Sequence, residues 1–168
     1  MSKNKNTNAS KYKLLFIKFL YSAHLKTYAG TDFERKKTKC QRSKLLRHCE
    51  YYYAEKNWEY FDSYDGHTFP SGKEVIYYKK KPFWTMSYQG QYIYNKKITA
   101  EEAYKFLKEA IRNTNPENPF RGPKKYQNNK WKYIFKTKGA WQYFIGREDV
   151  YYKKKLVFFQ DIMGSAIK

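Results

Sequence analysis

The chain has 168 residues, enough for one domain that buries roughly two-thirds of the surface its unfolded form exposes. Its 35 Lys and Arg residues against 15 Asp and Glu give a formal net charge of +20. This charge favours polyanionic partners: nucleic acid first, then an acidic protein or an anionic membrane surface. Two cysteines, Cys40 and Cys49, are too few for a disulfide framework and exclude a fold held by several disulfides.

The N-terminal region is predicted to contain a short tail and a helix. Residues 1–10 are polar and basic and are expected to be disordered. Residues 11–23 have the basic start and short apolar run of a secretory signal, but Lys18 interrupts the run, which is too short to span a bilayer. We therefore predict an amphipathic helix over about 12–28, ended by Gly30, in a cytoplasmic protein with reduced thiols.

Three strands are predicted to follow. Residues 58–64 alternate between two sets of side chains with a period of two, which indicates a strand. Further strands are expected at 73–78 and 83–89. The Lys79–Lys81 tract bends the chain between them, and Pro82 suits the start of a strand.

The second half of the chain is predicted to repeat this order. Thr99 is a natural N-cap for a helix over 100–112, and Glu102 completes a capping box. The apolar stripe of this helix consists of Ala103, Phe106, Leu107, Ala110 and Ile111. Prolines at 116, 119 and 123 break the chain, and strands are expected at 131–136, 147–152 and 156–162.

An internal repeat connects the two halves. Residues 72–90 match 146–164 at glycine, glutamate, tyrosine and lysine positions in the same order. The upstream matches are Trp58, Tyr60 and Gly66 with Trp131, Tyr133 and Gly139. We predict an α+β domain over 11–168, made of two tandem α-β-β-β repeats (11–95 and 98–168). Antiparallel sheets would pack with two main helices about a pseudo-two-fold axis, and 31–56 would be an insertion.

The strand motifs resemble a known family. They are W-x-Y-x-D-x-Y-x-G (Trp58, Tyr60, Asp62, Tyr64, Gly66), G-x-E-V (Gly72, Glu74, Val75), P-x-W-x-M-x-Y-x-G (Pro82, Trp84, Met86, Tyr88, Gly90) and F-R-G-P (Phe120 to Pro123). Over residues 14–168 they are similar to the prokaryotic family called domain of unknown function 5680. The resemblance implies no specific activity. Some relatives carry a helix-turn-helix domain, which implies a sensor or accessory role. This chain departs from the family by its higher positive charge and by one extra residue between Phe69 and Gly72.

No sequence template for catalysis is present, since the nucleophile-elbow, phosphate-loop and metalloprotease motifs are missing. The sequence therefore names no catalytic residue, cofactor or metal, and leans against an enzyme. Glu74 and Glu148 occupy equivalent positions. If they meet in a shared groove, one carboxyl pKa would rise, as general acid–base chemistry requires. The simpler interpretation is that each carboxylate accepts a bond from a nearby Tyr hydroxyl or backbone N–H. The predicted pocket residues are Thr27, Tyr28, Tyr60, Asp62, Glu74 and Glu148.

Three basic tracts support the leading hypothesis, a non-catalytic module that binds nucleic acid through phosphates with little sequence specificity. Its predicted contacts are Arg35, Lys36, Lys37, Lys39, Arg42, Lys44, Arg47, Lys79, Lys80, Lys81, Lys153, Lys154 and Lys155. Tyr rings beside the lysine triplets would stack on unpaired bases. The alternatives are solvated hairpin tips without function, a small-ligand or protein-interaction module using the groove between the repeats, and an enzyme using Glu74 or Glu148.

Overall fold

A computed structural model describes residues 3–116 and 120–167, with side chains from Tyr12 onward. Over these residues the chain forms three helices and one eight-stranded antiparallel sheet, which confirms the α+β class. The elements are α1 Lys3–Lys26, α2 Asp32–Thr38, β1 Cys49–Glu55, β2 Trp58–Asp65, β3 Ser71–Tyr78, β4 Lys81–Tyr92, α3 Ala100–Arg112, β5 Lys125–Asn128, β6 Trp131–Ala140, β7 Tyr143–Tyr152 and β8 Lys155–Ala166. No helix in the described part of the chain is long and apolar enough to cross a membrane.

The sheet has the strand order β1-β2-β3-β4-β8-β7-β6-β5. Two meanders, β1 to β4 and β5 to β8, join along their last strands. The join runs antiparallel from Trp84 opposite Ala166 to Tyr92 opposite Phe158. The strands therefore form one continuous sheet instead of the separate sheets expected from the sequence.

The predicted helix over 100–112 is confirmed with its cap. The Thr99 hydroxyl accepts a bond from the Glu102 N–H at 3.3 Å, and the Glu102 carboxylate accepts one from the Thr99 N–H at 2.7 Å. The predicted apolar stripe is buried against the sheet. Each large side chain in it contributes about 1.5–3 kcal/mol by leaving water.

Several boundaries differ from the sequence prediction. Helix α1 begins at Lys3, so its backbone includes residues 3–10, which were expected to belong to a disordered tail. Met1, Ser2 and Pro119 lie outside the described residues. The stretch 31–56 contains helix α2 and strand β1, and β5 precedes the predicted strands of the second half.

Aromatic rings form the core between the helices and one face of the sheet. Fully buried Trp84 has Phe16 at 5.4 Å, Phe120 at 6.2 Å and Phe144 at 6.2 Å between ring centroids, and its indole N–H donates to the Trp141 carbonyl at 2.9 Å. These separations lie in the favourable range for aromatic pairs. The opposite face of the sheet has no helix on it within the described part of the chain, so only one face builds the core.

Both lysine triplets lie at two-residue hairpin turns, as predicted. Lys79 and Lys80 have φ of 50° and 64°, and Lys153 and Lys154 have φ of 46° and 69°. Such left-handed turns match the twist of the strands but favour Asn and Gly. Because β4 and β8 are antiparallel 12-residue neighbours, the two tips lie at opposite ends of the sheet. At ~3.3 Å per residue, each of these strands is about 40 Å long.

Candidate ligand-binding site

A layer of polar side chains crosses the helix-covered face of the sheet. The strand register places Asp62 of β2 opposite Glu74 of β3, and Glu148 of β7 opposite Gln160 of β8. All four side chains are buried. Buried carboxylates need hydrogen-bond donors or cations, so this layer requires partners from outside the strands.

The principal partner is Arg121, from the F-R-G-P segment between α3 and β5. Its Nη1 lies 3.3 Å from Glu74 Oε1, its Nη2 lies 3.0 Å from Glu148 Oε1, and its Nε lies 3.5 Å from Glu148 Oε2. Burial works to lower the pKa of the guanidinium, but Glu148 and Glu74 together raise it well above its ordinary value. Arg121 therefore remains charged and joins two carboxylates contributed by opposite halves of the sheet.

Glu148 is held by further donors. The Tyr133 hydroxyl donates to its Oε2 at 2.7 Å, and Gln160 Nε2 donates to its Oε1 at 2.5 Å. Tyr133 in turn accepts the Gly122 N–H at 3.1 Å. A Cβ at Gly122 would lie 2.6 Å from Tyr133 Cε1, so only glycine lets the loop approach this closely.

Glu74 has fewer partners. Besides Arg121 it contacts His24 of α1, whose Nε2 lies 2.9 Å from Oε2. Burial alone would raise the pKa of the Glu74 carboxyl, but His24 and then Arg121 lower it by more, and the net pKa falls below its usual range. The conditional interpretation in which close carboxylates raise one pKa therefore does not apply to Glu74, because an arginine lies between the two carboxylates and offsets their repulsion.

Asp62 behaves in the opposite way. Burial, followed by the charge of Glu74, raises its carboxyl pKa well above the ordinary value, although the Tyr88 hydroxyl donates to it at 2.8 Å. Two polar atoms nearby, Tyr60 Oη and His24 Nδ1, make no well-formed hydrogen bond among the described residues, although Tyr60 lies close enough to Glu74 to help lower the pKa of its carboxyl. Hydrogen bonding is thus more complete around Glu148 than on the Glu74 side.

A cleft of about 890 Å³ opens directly over this network. Its floor includes Arg121, Tyr88 and Gln160. Its walls come from the end of α1, from α2, from the loop after β2 and from α3. The volume lies within the range of small-molecule sites. A second depression, of about 1050 Å³, lies on the open face of the sheet, away from the buried charges.

The six predicted pocket residues gather in this region, but only Tyr28 lines the cleft. Thr27 donates its hydroxyl to the Ala23 carbonyl at 2.7 Å and so serves its own helix. The other four are buried side chains of the sheet layer beneath the cleft: Tyr60, Asp62, Glu74 and Glu148. Arg121, Tyr133, Gln160 and His24 were missed, although inward-facing polar positions in the alternating strands pointed to Tyr133 and Gln160.

The predicted phosphate contacts do not share one surface. Arg35, Lys36 and Lys37 lie on α2, and Lys39 follows it. Arg42, Lys44 and Arg47 lie in the loop before β1, where the Lys44 N–H donates to Glu50 at 2.7 Å. The remaining six are Lys79, Lys80, Lys81, Lys153, Lys154 and Lys155, at the two hairpin tips. All thirteen except Arg35 are exposed.

In the described part of the chain, no group of three or more His, Cys, Asp or Glu side chains is arranged to hold a metal ion. Cys40 and Cys49 are free thiols and partly buried. Burial raises the pKa of the Cys40 thiol, which disfavours the thiolate form needed for reactivity.

Residues 62–167 match the family described as "Domain of unknown function (DUF5680)". The chain belongs to this family. The match includes Arg121 and both glutamates that it joins, so the buried network lies within the family region. No curated protein and no solved structure matches the chain.

Proposed function

We propose that this family member is a non-catalytic binding module that holds a small ligand in the cleft over Arg121. The observation that carries the proposal is the position of the cleft, which opens directly above a buried network joining both halves of the sheet. Concave sites with a few fixed polar groups on a rigid floor are typical of ligand binding. The network would supply that rigid floor.

Binding fits the network better than catalysis. Glu148 is occupied by Arg121, Tyr133 and Gln160, and Glu74 is ion-paired with a lowered pKa. A general acid needs a pKa near the working pH and a free path to substrate. Neither glutamate lines the cleft, so the proposed role of both is to position Arg121.

We also infer that the chain is an internal duplication and that the cleft lies at the junction of the copies. The inference is supported by strand register. Trp58 pairs with Tyr78 as Trp131 pairs with Tyr152, and register shifts follow Ile76 and Val150 at matching positions. On this view β1 and β5 also correspond, so each copy would have four strands instead of three.

The ligand proposal is tested with a neutral and a charged version of one bicyclic probe, naphthamide and naphthoate, by calorimetry and by perturbation of Tyr ring signals in NMR. At least one probe is expected to bind saturably at one site. Lys105→Trp places a bulky ring at the exposed rim of the cleft and should abolish binding. Lys18→Trp makes the same change on the exposed face of α1 and should leave binding intact. Unchanged binding in Lys105→Trp, or no binding of either probe to the wild-type protein, contradicts the proposal.

A second candidate function, phosphate binding by the hairpin tips, is favoured by one observation. Four lysines occupy left-handed turn positions where Asn and Gly would be less strained. Left-handed backbone costs a non-glycine residue about 1–2 kcal/mol. Strain of this kind is often retained where the side chain has a role. Because the tips lie at opposite ends of the sheet, each would contact a different nucleic-acid segment.

Replacing both tips by Asn-Gly (Lys79→Asn, Lys80→Gly, Lys153→Asn, Lys154→Gly) tests this candidate. The variant should be more stable to urea by about 1 kcal/mol per hairpin, since strain is relieved. Its affinity for a mixed-sequence DNA duplex should fall, and the salt dependence should flatten by about 0.9 for each phosphate that the variant no longer binds. The control Lys13→Gln, Lys18→Gln removes exposed charge from α1. If both variants lose the same affinity per charge removed, the hairpin lysines contribute only through the net charge of the protein, and the candidate function is contradicted.

A further inference from the structure

One wall of the cleft carries a lysine without a carboxylate partner. Lys108 of α3 is half-buried, and its Nζ lies 5.0 Å from the centre of the Tyr28 ring. Among the described residues it forms no ion pair. Burial lowers the pKa of this amine, and the nearby charge of Arg35 lowers it further. Holding such a cation partly out of water is unfavourable unless an anion is supplied.

Two arginines lie beside Lys108 in the same cleft. Arg35 donates to the Gly30 carbonyl at 2.7 Å and pairs with the exposed Asp32. Arg112 donates to the Ala29 carbonyl at 3.0 Å. Backbone carbonyls orient a guanidinium without neutralising its charge. Among the described residues, Asp32 is the one carboxylate that forms an ion pair with any of the three cations, and it also acts at longer range on Lys108. The three cations come from two helices, α2 and α3, that both line the cleft.

The surrounding walls are aromatic. Tyr28 has two cations near its ring, with Lys108 Nζ at 5.0 Å and the Arg121 guanidinium at 5.8 Å from the ring centre. Tyr104 packs edge-on against Phe158 at 5.3 Å, and both line the cleft. Flat aromatic walls beside a cation cluster suit a ligand with a planar or apolar body and one anionic group.

We propose that the cleft selects a small organic anion, a carboxylate or phosphate ester attached to a planar body. Its anionic group would pair with Lys108, Arg35 and Arg112, and its body would lie between Tyr28 and Tyr104. This inference rests on the proposed ligand-binding function and adds the chemical class of the ligand. It also gives the basic tract of α2 a role distinct from nucleic-acid contact, since Arg35 faces the cleft.

The test compares naphthoate with its neutral amide, naphthamide, on the full chain. The wild-type protein should bind naphthoate at least about ten-fold more tightly, since a charge-assisted pair is stronger than a neutral hydrogen bond. Lys108→Met keeps an unbranched apolar side chain against Tyr28. It should weaken naphthoate binding by about ten-fold and change naphthamide binding by less than about two-fold. Lys18→Met removes an exposed charge of α1 outside the cleft and should change both by less than about two-fold.

The outcomes separate the two proposals. Equal affinity for naphthoate and naphthamide, or an unchanged naphthoate affinity in Lys108→Met, overturns the anion inference and leaves the cleft as a ligand site. Failure of both probes to bind the wild-type protein overturns both proposals. If Lys108→Met unfolds, the salt dependence of probe binding to the wild-type chain tests the anion inference instead. Added chloride should weaken naphthoate binding and leave naphthamide binding unchanged, and parallel responses would overturn the inference.

Discussion

The two glutamates beside Arg121 are buried to the same extent but held differently. Glu148 accepts bonds from Arg121, Tyr133 and Gln160. Glu74 contacts Arg121 once and His24 once, and the neighbouring Tyr60 hydroxyl and His24 Nδ1 make no well-formed hydrogen bond among the described residues. One side of the network is therefore closed by hydrogen bonds, whereas the other keeps unused polar capacity.

Two residues at equivalent sequence positions, Glu74 and Glu148, therefore have different structural roles. A saturated buried carboxylate has a structural role, because any change leaves several donors unsatisfied. A carboxylate with unpaired neighbours tolerates change better and is the side where a bound water or ligand group would find partners. Substitutions can test this asymmetry, beginning with the residue that both sides share.

Arg121→Met should produce the largest effect. It leaves two buried carboxylates without their common cation, and breaking a buried ion pair costs about 3–5 kcal/mol. Urea unfolding at neutral pH measures the decrease in stability. Arg147→Met is the control, since its ion pairs with Asp149 and Asp161 are partly exposed and should contribute about 1 kcal/mol or less. Similar decreases in the two variants would show that the buried ion pairs of Arg121 contribute no more to stability than the partly exposed ion pairs of Arg147.

Neutralising either glutamate alone should give the next largest loss of stability. Glu148→Gln removes the charge that pairs with Arg121 and puts an amide NH2 in place of one of the two acceptor oxygens, so it faces either the Tyr133 or the Gln160 donor with hydrogens and should destabilise the protein by about 3 kcal/mol. Glu74→Gln disturbs fewer bonds and should cost about half as much. Both changes in stability are read from the same urea titrations as above. An equal or reversed order would mean that hydrogen-bond saturation does not distinguish the two sides.

The sequence predicted the regular elements well where periodicity was strong. Alternation identified β2, the Lys79–Lys81 bend separated β3 from β4, and the internal repeat extended the same order to β6, β7 and β8. The Thr99 capping box identified α3. Helix α2 has no buried residue and hence no apolar stripe. Strand β1 contains three consecutive tyrosines and β5 has four residues, so neither offered a readable period.

The site was predictable only in part. Alternation placed Tyr60, Asp62 and Glu74 in the strands and suggested a shared position with Glu148. Arg121 comes from a loop, where no periodicity exists, and its location between the glutamates depends on how the segment after α3 folds back over the sheet. Charge neutralisation by a residue distant in the sequence is a tertiary property, so the sequence could not show that Arg121 and His24 lower the pKa of Glu74.

Removing the hydroxyl of Tyr133 or of Tyr60 should have different effects on stability, because the two hydroxyls differ in their hydrogen bonding. Tyr133→Phe removes a donor to Glu148 and an acceptor of the Gly122 N–H, and it should cost about 1–3 kcal/mol. Tyr60→Phe removes a buried hydroxyl that makes no well-formed hydrogen bond among the described residues and interacts only weakly with Glu74, so the destabilisation should be smaller, at most about 1 kcal/mol. Thermal and urea unfolding check both. A substantial destabilisation in Tyr60→Phe would show that the Glu74 side is also saturated.

Replacing Asp62 should have the smallest effect on stability near pH 5, and the size of that effect should change with pH. Because burial and then Glu74 raise its folded-state pKa, the folded protein binds a proton that the unfolded chain releases near pH ~3.9. That contribution is complete below the unfolded pKa and is lost as pH rises toward the folded pKa. Asp62→Asn keeps an acceptor for the Tyr88 hydroxyl and cannot ionise. Its stability relative to wild type should therefore increase from pH 5 to pH 8, as measured by urea unfolding across that range. A constant difference would place an ionised Asp62 beside Glu74, and this side of the network would then need positive charge in addition to Arg121.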